Sequence, residues 1–338
     1  MTLIRHWHAP SPAEIGDNFA EFAAVLEHPS RITVPGADTS RCRVVVTLLH
    51  GNEPSGLMAL HRLLRESFIP AVDLHCYVLA LDAALLRPQF TQRQVPGLRD
   101  WNRCFRPPFD TDIQAMVCGA LLEEVRALRP ECVVDIHNTS GEGPSFAVAT
   151  RFDMKVERIV SHFTGRLILS SMRLGSLMET GTSELPVVTI ECGGAFEESA
   201  HRAAWDGLLR FAGAADIFAP RAKDWGLELF DDPLRVELAP EATLDFAEAP
   251  GPGADLTLKA DIEHHNFGYI PAQTFLGWLR RGGRWLVKAF DPQRRDHFEE
   301  LYRLKDGKLY TRVPQKMFMI TTNATIAKSD CLWYAVRA

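Results

Sequence analysis

The sequence predicts an α/β fold: a mixed, mainly parallel sheet flanked by helices, followed by a smaller, mostly β C-terminal domain. Three observations carry this expectation. Short apolar, β-branched runs alternate with amphipathic helical stretches through residue 214. The runs are apolar without alternation, as in strands covered on both faces. Beyond about residue 218 helical periodicity fades, and Gly and Pro cluster at Pro240 and in Ala249-Pro-Gly-Pro-Gly253. The expected domains are therefore 1–218 and 219–338.

The elements follow in order. Phe19, Phe22 and Leu26 have helical spacing, and Arg31 to Pro35 reads as a brief extended piece. Arg43-Val-Val-Val-Thr-Leu-Leu-His50 is a buried strand. Gly56 to Ser67 carries Leu57, Leu60, Leu63 and Leu64 on one helical face. His75 to Leu81 reads as a second strand. Thr111 to Leu128 is the clearest helix, with Ile113, Met116, Val117, Ala120, Leu121 and Leu128 on the expected stripe. Asp110 and Asp112 lie at its start, where the helix dipole favours carboxylates. Strands then follow at Cys132–Ile136, Ser145–Ala149 and Val187–Glu191, with helices over 153–163 and 199–214. In the second domain, strand-like runs fall at 274–279, 285–289, 309–313 and 316–321.

Composition removes several function classes. The 338 residues are 46% hydrophobic and 24% charged, an ordinary globular balance. The net charge of −6 leaves no general basic footprint for nucleic acid. No run of 18 apolar residues suggests a membrane span, and the first ten residues lack an apolar stretch of signal-peptide length. Seven scattered cysteines form no C-x-x-C pair, which favours reduced thiols and a cytoplasmic protein over disulfides or a thiolate zinc site.

Chemistry concentrates at strand ends. His50-Gly-Asn-Glu53 follows the first buried strand, at the carboxyl edge where open α/β sheets build sites. A histidine and a glutamate three apart on a turn can address one metal. His137, in Asp135-Ile-His137-Asn138-Thr139, supplies a third ligand from another strand end. His50, Glu53 and His137 would form a His₂Glu set suited to hydrolytic zinc, one ion per chain. Any one of these alone reads as a hydrogen-bonded structural residue; three together at strand ends point to metal. His61 and His75 lack such partners and read as structural. Asp135 either orients His137 or is satisfied by backbone donors.

Two further features stand out. Residues 87–106 hold five arginines (Arg87, Arg93, Arg99, Arg103 and Arg106) against one acid, Asp100. Guanidinium forks bind carboxylates, so Asn102 with Arg103 reads as a clamp for an acidic small molecule. Arg87, Arg99 and Arg106, taken singly, read as a solvated basic loop. Glu191 ends the apolar strand Val187–Ile190 before Gly193-Gly194, a costly place for a carboxylate unless it is solvated, paired or functional: it reads either as a helix-capping or ion-paired glutamate or, beside a zinc-bound water, as a general base.

Together, His50-Gly-Asn-Glu53, Asn102-Arg103, Asp135-Ile-His137-Asn138-Thr139 and Ile190-Glu191-Cys-Gly-Gly194 resemble the succinylglutamate desuccinylase/aspartoacylase family, related to zinc carboxypeptidases. The resemblance spans about residues 43–195 and keeps the order of the motifs. It implies a zinc-carboxypeptidase-like fold with zinc on His50, Glu53 and His137. It implies Glu191 as catalytic base and Asn102 with Arg103 on the substrate carboxylate. A family arginine upstream of the D-L-N-R-x-F block, here Asp100-Trp-Asn-Arg-Cys-Phe105, polarises the scissile carbonyl; Arg93 is the preferred counterpart and Arg99 the other candidate. The implied activity is amide hydrolysis of an N-acyl amino acid, with the C-terminal domain shaping substrate access. The rival readings are a carboxypeptidase-type peptidase and a non-catalytic zinc- or anion-binding module. His264, His265 and Tyr269 are polar residues of the second domain expected at the surface. A homo-oligomer is compatible with the sequence, which does not choose a state.

Overall fold

A computed structural model describes residues 2–220, 225–280 and 283–338. Nine strands form one large sheet: β1 (Arg5–His8), β2 (Ser30–Val34), β3 (Asp38–Thr47), β4 (Val72–Val78), β5 (Val133–Thr139), β6 (Phe146–Ala149), β7 (Arg166–Leu169), β8 (Val187–Gly194) and β9 (Glu228–Asp231). Their order is β1-β2-β4-β3-β5-β8-β6-β7-β9. The central pairs β4–β3 and β3–β5 are parallel, whereas β2–β4 and β6–β8 are antiparallel. The helices are α1 (Phe19–Leu26), α2 (Ser55–Arg65), α3 (Leu81–Leu85), α4 (Ile113–Leu128), α5 (Met154–Val160) and α6 (Glu198–Gly213). The sheet is thus the mixed, largely parallel α/β sheet expected.

The chain divides into two compact units. The first comprises Met1–Asn138, Ser145–Leu167 and Met172–Leu229; the second comprises Thr139–Pro144, Ile168–Ser171 and Phe230–Ala338. In the first, Val44 and Val46 of β3, Tyr77 of β4 and Val117, Leu121 and Val125 of α4 pack into one cluster around Trp101. Each such aliphatic side chain contributes about 1.5–3 kcal/mol when removed from water.

The second unit holds two five-stranded sheets built from β10 (Leu234–Leu238), β11 (Leu244–Phe246), β12 (Leu256–Leu258), β13 (Tyr269–Ile270), β14 (Phe275–Leu279), β15 (Val287–Phe290), β16 (Tyr302–Lys305), β17 (Lys308–Thr311), β18 (Gln315–Phe318) and β19 (Trp333–Arg337). Their orders are β13-β18-β19-β10-β15 and β11-β12-β14-β17-β16. Trp333 sits in its core and donates its indole N–H to the Tyr302 hydroxyl at 2.7 Å, which satisfies both buried polar groups.

Several sequence expectations shift. β4 runs Val72–Val78 rather than 75–81, and Leu81 opens α3 instead of closing a strand. On α4 the buried stripe is Gln114, Val117, Cys118, Leu121, Leu122 and Val125, while Ile113 and Met116 are each 43% exposed. At 3.6 residues per turn those two lie about a quarter-turn or more away from the stripe's centre. Asp112 caps this helix, its Oδ1 accepting the Ala115 N–H at 2.8 Å. β5 and β8 continue past the apolar runs that announced them, through Thr139 and Gly194. Short strands such as β1, β7 and β9–β12 lie outside the sequence expectation. They carry three to five residues of weak alternation, too little for a periodic signal.

All seven cysteines are buried and unpaired. Among the described residues no helix is long and apolar enough to cross a membrane.

Candidate metal centre

β3 ends at Thr47, and Leu48, in the left-handed region with φ +54°, turns the chain. His50 and Glu53 follow on that turn. Gly51 is required there: a Cβ would lie 2.5 Å from the Ala84 nitrogen and 2.7 Å from the Ala83 carbonyl carbon. Its N–H donates to the Arg93 carbonyl at 2.9 Å, tying the turn to the arginine segment. β5, adjacent and parallel to β3, delivers His137 at the same edge.

His50, Glu53 and His137 are all buried, and one donor atom from each falls within 4.8 Å of the others, so the three could hold a metal ion. His50 Nδ1 lies 2.8 Å from Glu53 Oε1, and His137 Nδ1 lies 2.7 Å from Glu53 Oε2. Each imidazole is held from behind by a carboxylate: His50 Nε2 is 3.0 Å from Asp100 Oδ1, and His137 Nε2 is 2.7 Å from Asp135 Oδ2. With Nε2–H donating outward to these carboxylates, each Nδ1 would be free to present its lone pair to an ion held between it and Glu53. This is the carboxylate–histidine arrangement that orients metal ligands. The donor set, two imidazoles and a carboxylate, fits a divalent cation of intermediate softness.

Electrostatics tie the cluster together. Burial opposes ionisation of Glu53, but the His50 and His137 imidazoles outweigh it and hold the carboxyl well below the usual carboxylate range. Burial likewise opposes the charge on His137, yet Asp135 and Glu53 push its pKa well above the ordinary histidine value. Asp100 is lowered in the same way, against burial, by His50 and Arg93. Glu191 behaves oppositely. Its Oε2 is enclosed without a hydrogen-bond partner, and burial raises its pKa to about 8, with His137 pulling the other way. A neutral carboxyl in a cluster of titratable groups is the kind of perturbed acid that active sites use.

The arginine segment separates into two groups. Arg93 places Nε and Nη2 at 3.1 and 3.0 Å from Asp100 Oδ2, with Nη1 3.5 Å from Glu53 Oε1. Arg99 turns away, donating to Asp112 at 2.7 Å and to the Arg103 carbonyl at 3.2 Å. Asn102 is buried with its Oδ1 accepting the Leu177 N–H at 3.0 Å. Arg103, half-buried beside it, adds positive charge near Asp100.

By sequence, Asp100 is the lone acid of a basic segment, and nothing assigns it to His50. Its position at the head of the Asp-Trp-Asn-Arg block was the available signal, but its pairing with His50 spans fifty residues. His61 and His75 are structural: His61 Nε2 lies 3.1 Å from the Gly16 carbonyl oxygen, and His75 Nδ1 is 3.0 Å from Thr33 Oγ1. Tyr269 and His264 are exposed and His265 half-buried, all in the second unit.

No protein-family model matches the sequence, and no curated protein matches it. Solved structures do match. A succinylglutamate desuccinylase/aspartoacylase from Rhodobacter sphaeroides is 14% identical, with a TM-score of 0.58 over 90% of this chain and 88% of that one. A succinylglutamate desuccinylase from Vibrio parahaemolyticus is 12% identical, with a TM-score of 0.55 over 96% of each chain. A product-bound ectoine utilization protein EutE (DoeB) from Ruegeria pomeroyi is 14% identical, with a TM-score of 0.52 over 85% of this chain and 81% of that one.

Proposed function

From the fold shared with succinylglutamate desuccinylase/aspartoacylase proteins, we propose that this chain is a zinc-dependent hydrolase that cleaves the amide bond of a small, carboxylate-bearing N-acyl amino acid. One observation carries the reading: three buried donor groups converge on one point beside an enclosed, unpaired carboxyl, Glu191. His50, Glu53 and His137 would hold the ion. Zinc, when bound, supplies Lewis acidity that acidifies water and polarises a carbonyl.

Everything else falls to the chain's own residues. Glu191, largely neutral below about pH 8 in the metal-free protein, returns to its carboxylate form beside a cation. It takes a proton from the attacking water as the new C–O bond forms. It then gives that proton to the amine nitrogen as the C–N bond breaks, leaving a free carboxylate and a free amine. Arg93, aimed by Asp100, stabilises the carbonyl oxygen as it gains charge. Arg103 and Asn102 hold the substrate carboxylate, which fixes the acyl carbon in place for attack.

The test pairs elemental analysis with a screen of N-acyl amino acids, including acetylaspartate and succinylglutamate, and of short peptides, read by released amine. Stoichiometric zinc with release from acidic acyl amino acids is the expected result. Release from peptides alone would make the chain a carboxypeptidase-type enzyme. No release from any substrate by zinc-loaded protein overturns the hydrolase reading and leaves a binding module.

A further inference from the structure

Asn138 follows His137 in β5 and is buried, yet its side chain does not face the ligand cluster as a donor. Its Oδ1 accepts the Ser55 N–H at 3.1 Å. Its Nδ2 donates to Ser55 Oγ at 2.8 Å and to the Gly193 carbonyl at 3.0 Å. Its backbone N–H donates to Glu53 Oε2 at 3.2 Å. Ser55 opens α2 two residues after Glu53, and Gly193 lies two residues after Glu191. One side chain therefore cross-links the three segments that carry the ligands and the base. It also satisfies a first-turn N–H of α2, where no side chain of the preceding residue does so.

The network extends one step further. Ser55 is fully buried, and its Oγ lies 2.8 Å from His201 Nδ1 on α6. Because Ser55 Oγ accepts from Asn138, its own hydrogen is available to His201 Nδ1. The donors run from Asn138 to Ser55 to His201, a half-buried histidine remote in sequence from every proposed ligand.

We propose that Asn138 is a positioning residue for the metal centre, with Ser55 and His201 as the supports that fix its orientation. This rests on the metal-site reading above. Glu53 must meet two imidazoles with its two oxygens, so the plane of its carboxylate is decisive. Oε2 is shared between His137 and the Asn138 N–H, and Asn138 can keep that place only while its own amide is locked. A water-filled surface would offer the amide substitute partners; this enclosed site does not. The same lock holds the Gly193 carbonyl, and through it the end of β8 that carries Glu191.

The experiment measures zinc and cobalt dissociation constants of the full chain by chelator competition, together with the visible spectrum of the cobalt-loaded protein. Asn138→Ala should weaken zinc binding about 10–100-fold, the usual effect of losing an outer support of a metal ligand, and should alter the cobalt spectrum. Ser55→Ala and His201→Ala should each weaken it by a smaller factor. His201→Asn, whose amide reaches the place of Nδ1, should restore most of the loss. Should Asn138→Ala fail to fold, the Ser55 and His201 variants still decide. Both showing wild-type zinc affinity and cobalt spectra would overturn the positioning role while leaving the metal centre intact. A wild-type chain that binds neither zinc nor cobalt overturns the metal reading itself, and the positioning role with it.

Discussion

Strand β3 carries a buried charge midway along its length and delivers buried ligands just beyond its end. Midway along it, Arg43 is fully enclosed, and its guanidinium nitrogens are matched: Nε to Glu131 at 2.7 Å, Nη1 to the Phe211 carbonyl at 2.6 Å and Nη2 to the Ala214 carbonyl at 2.7 Å. Just beyond its end, His50 and His137 share Glu53, while Glu191 on β8 keeps an oxygen with no hydrogen-bond partner. A buried charge with all partners in place is a finished structure. A buried carboxyl left short of a partner, held near neutrality, is available for proton transfer. The contrast between satisfied burial on β3 and unsatisfied burial on β8 separates architecture from chemistry.

The largest expected effect tests the unsatisfied carboxyl. Glu191→Gln should lower turnover about 10²–10⁴-fold while zinc content and fold stay as in the parent; a variant with near-parental rates would remove Glu191 as the base. The satisfied Arg43 should respond the other way. Arg43→Met leaves Glu131 and two carbonyls short of donors, and should cost about 3 kcal/mol of stability in denaturant unfolding, with zinc stoichiometry in the folded protein unchanged.

A pH series sharpens the comparison further. Glu191 has a folded-state pKa raised from 4.5 to about 8, so its contribution favours folding most below pH 4.5 and is lost as pH rises toward 8. In metal-free protein, Glu191→Gln should therefore gain stability relative to the parent across that window, read as a difference in unfolding midpoint. A difference that stays flat from pH 5 to 8 would mean that the carboxyl is ionised throughout. The smallest effect separates the two arginines. Arg99→Ala removes a surface pair with Asp112 and should change stability by about 1 kcal/mol or less with activity kept, whereas Arg93→Ala should lower turnover of the zinc-loaded enzyme.

Much of this was legible in one chain because the signals are local. The runs 43–50 and 132–136 announce buried strands by composition, and His50, Glu53, His137 and Glu191 are recognisable as donors by residue type and by position at strand ends. Other features were not legible. β5 runs on into polar residues because those side chains find partners, His137 on Asp135 and Asn138 on Ser55, and β8 runs on through Gly193, whose carbonyl accepts from Asn138. The buried stripe of α4 is set by what packs on it, so Ile113 and Met116 face outward despite their apolarity.

By itself, then, the sequence determined the alternation of strands and helices, the change of texture near residue 218 and the identities of the candidate ligands and base. Periodicity and ligand chemistry act over a few residues and need no knowledge of the chain's path. Only the tertiary structure decided that Asp100 backs His50 across fifty residues, that Arg93 rather than Arg99 turns toward Glu53, and that Asn138 links three separate segments. Hydrogen bonds depend on distance and angle between atoms brought together by folding, and spacing along the chain does not encode those.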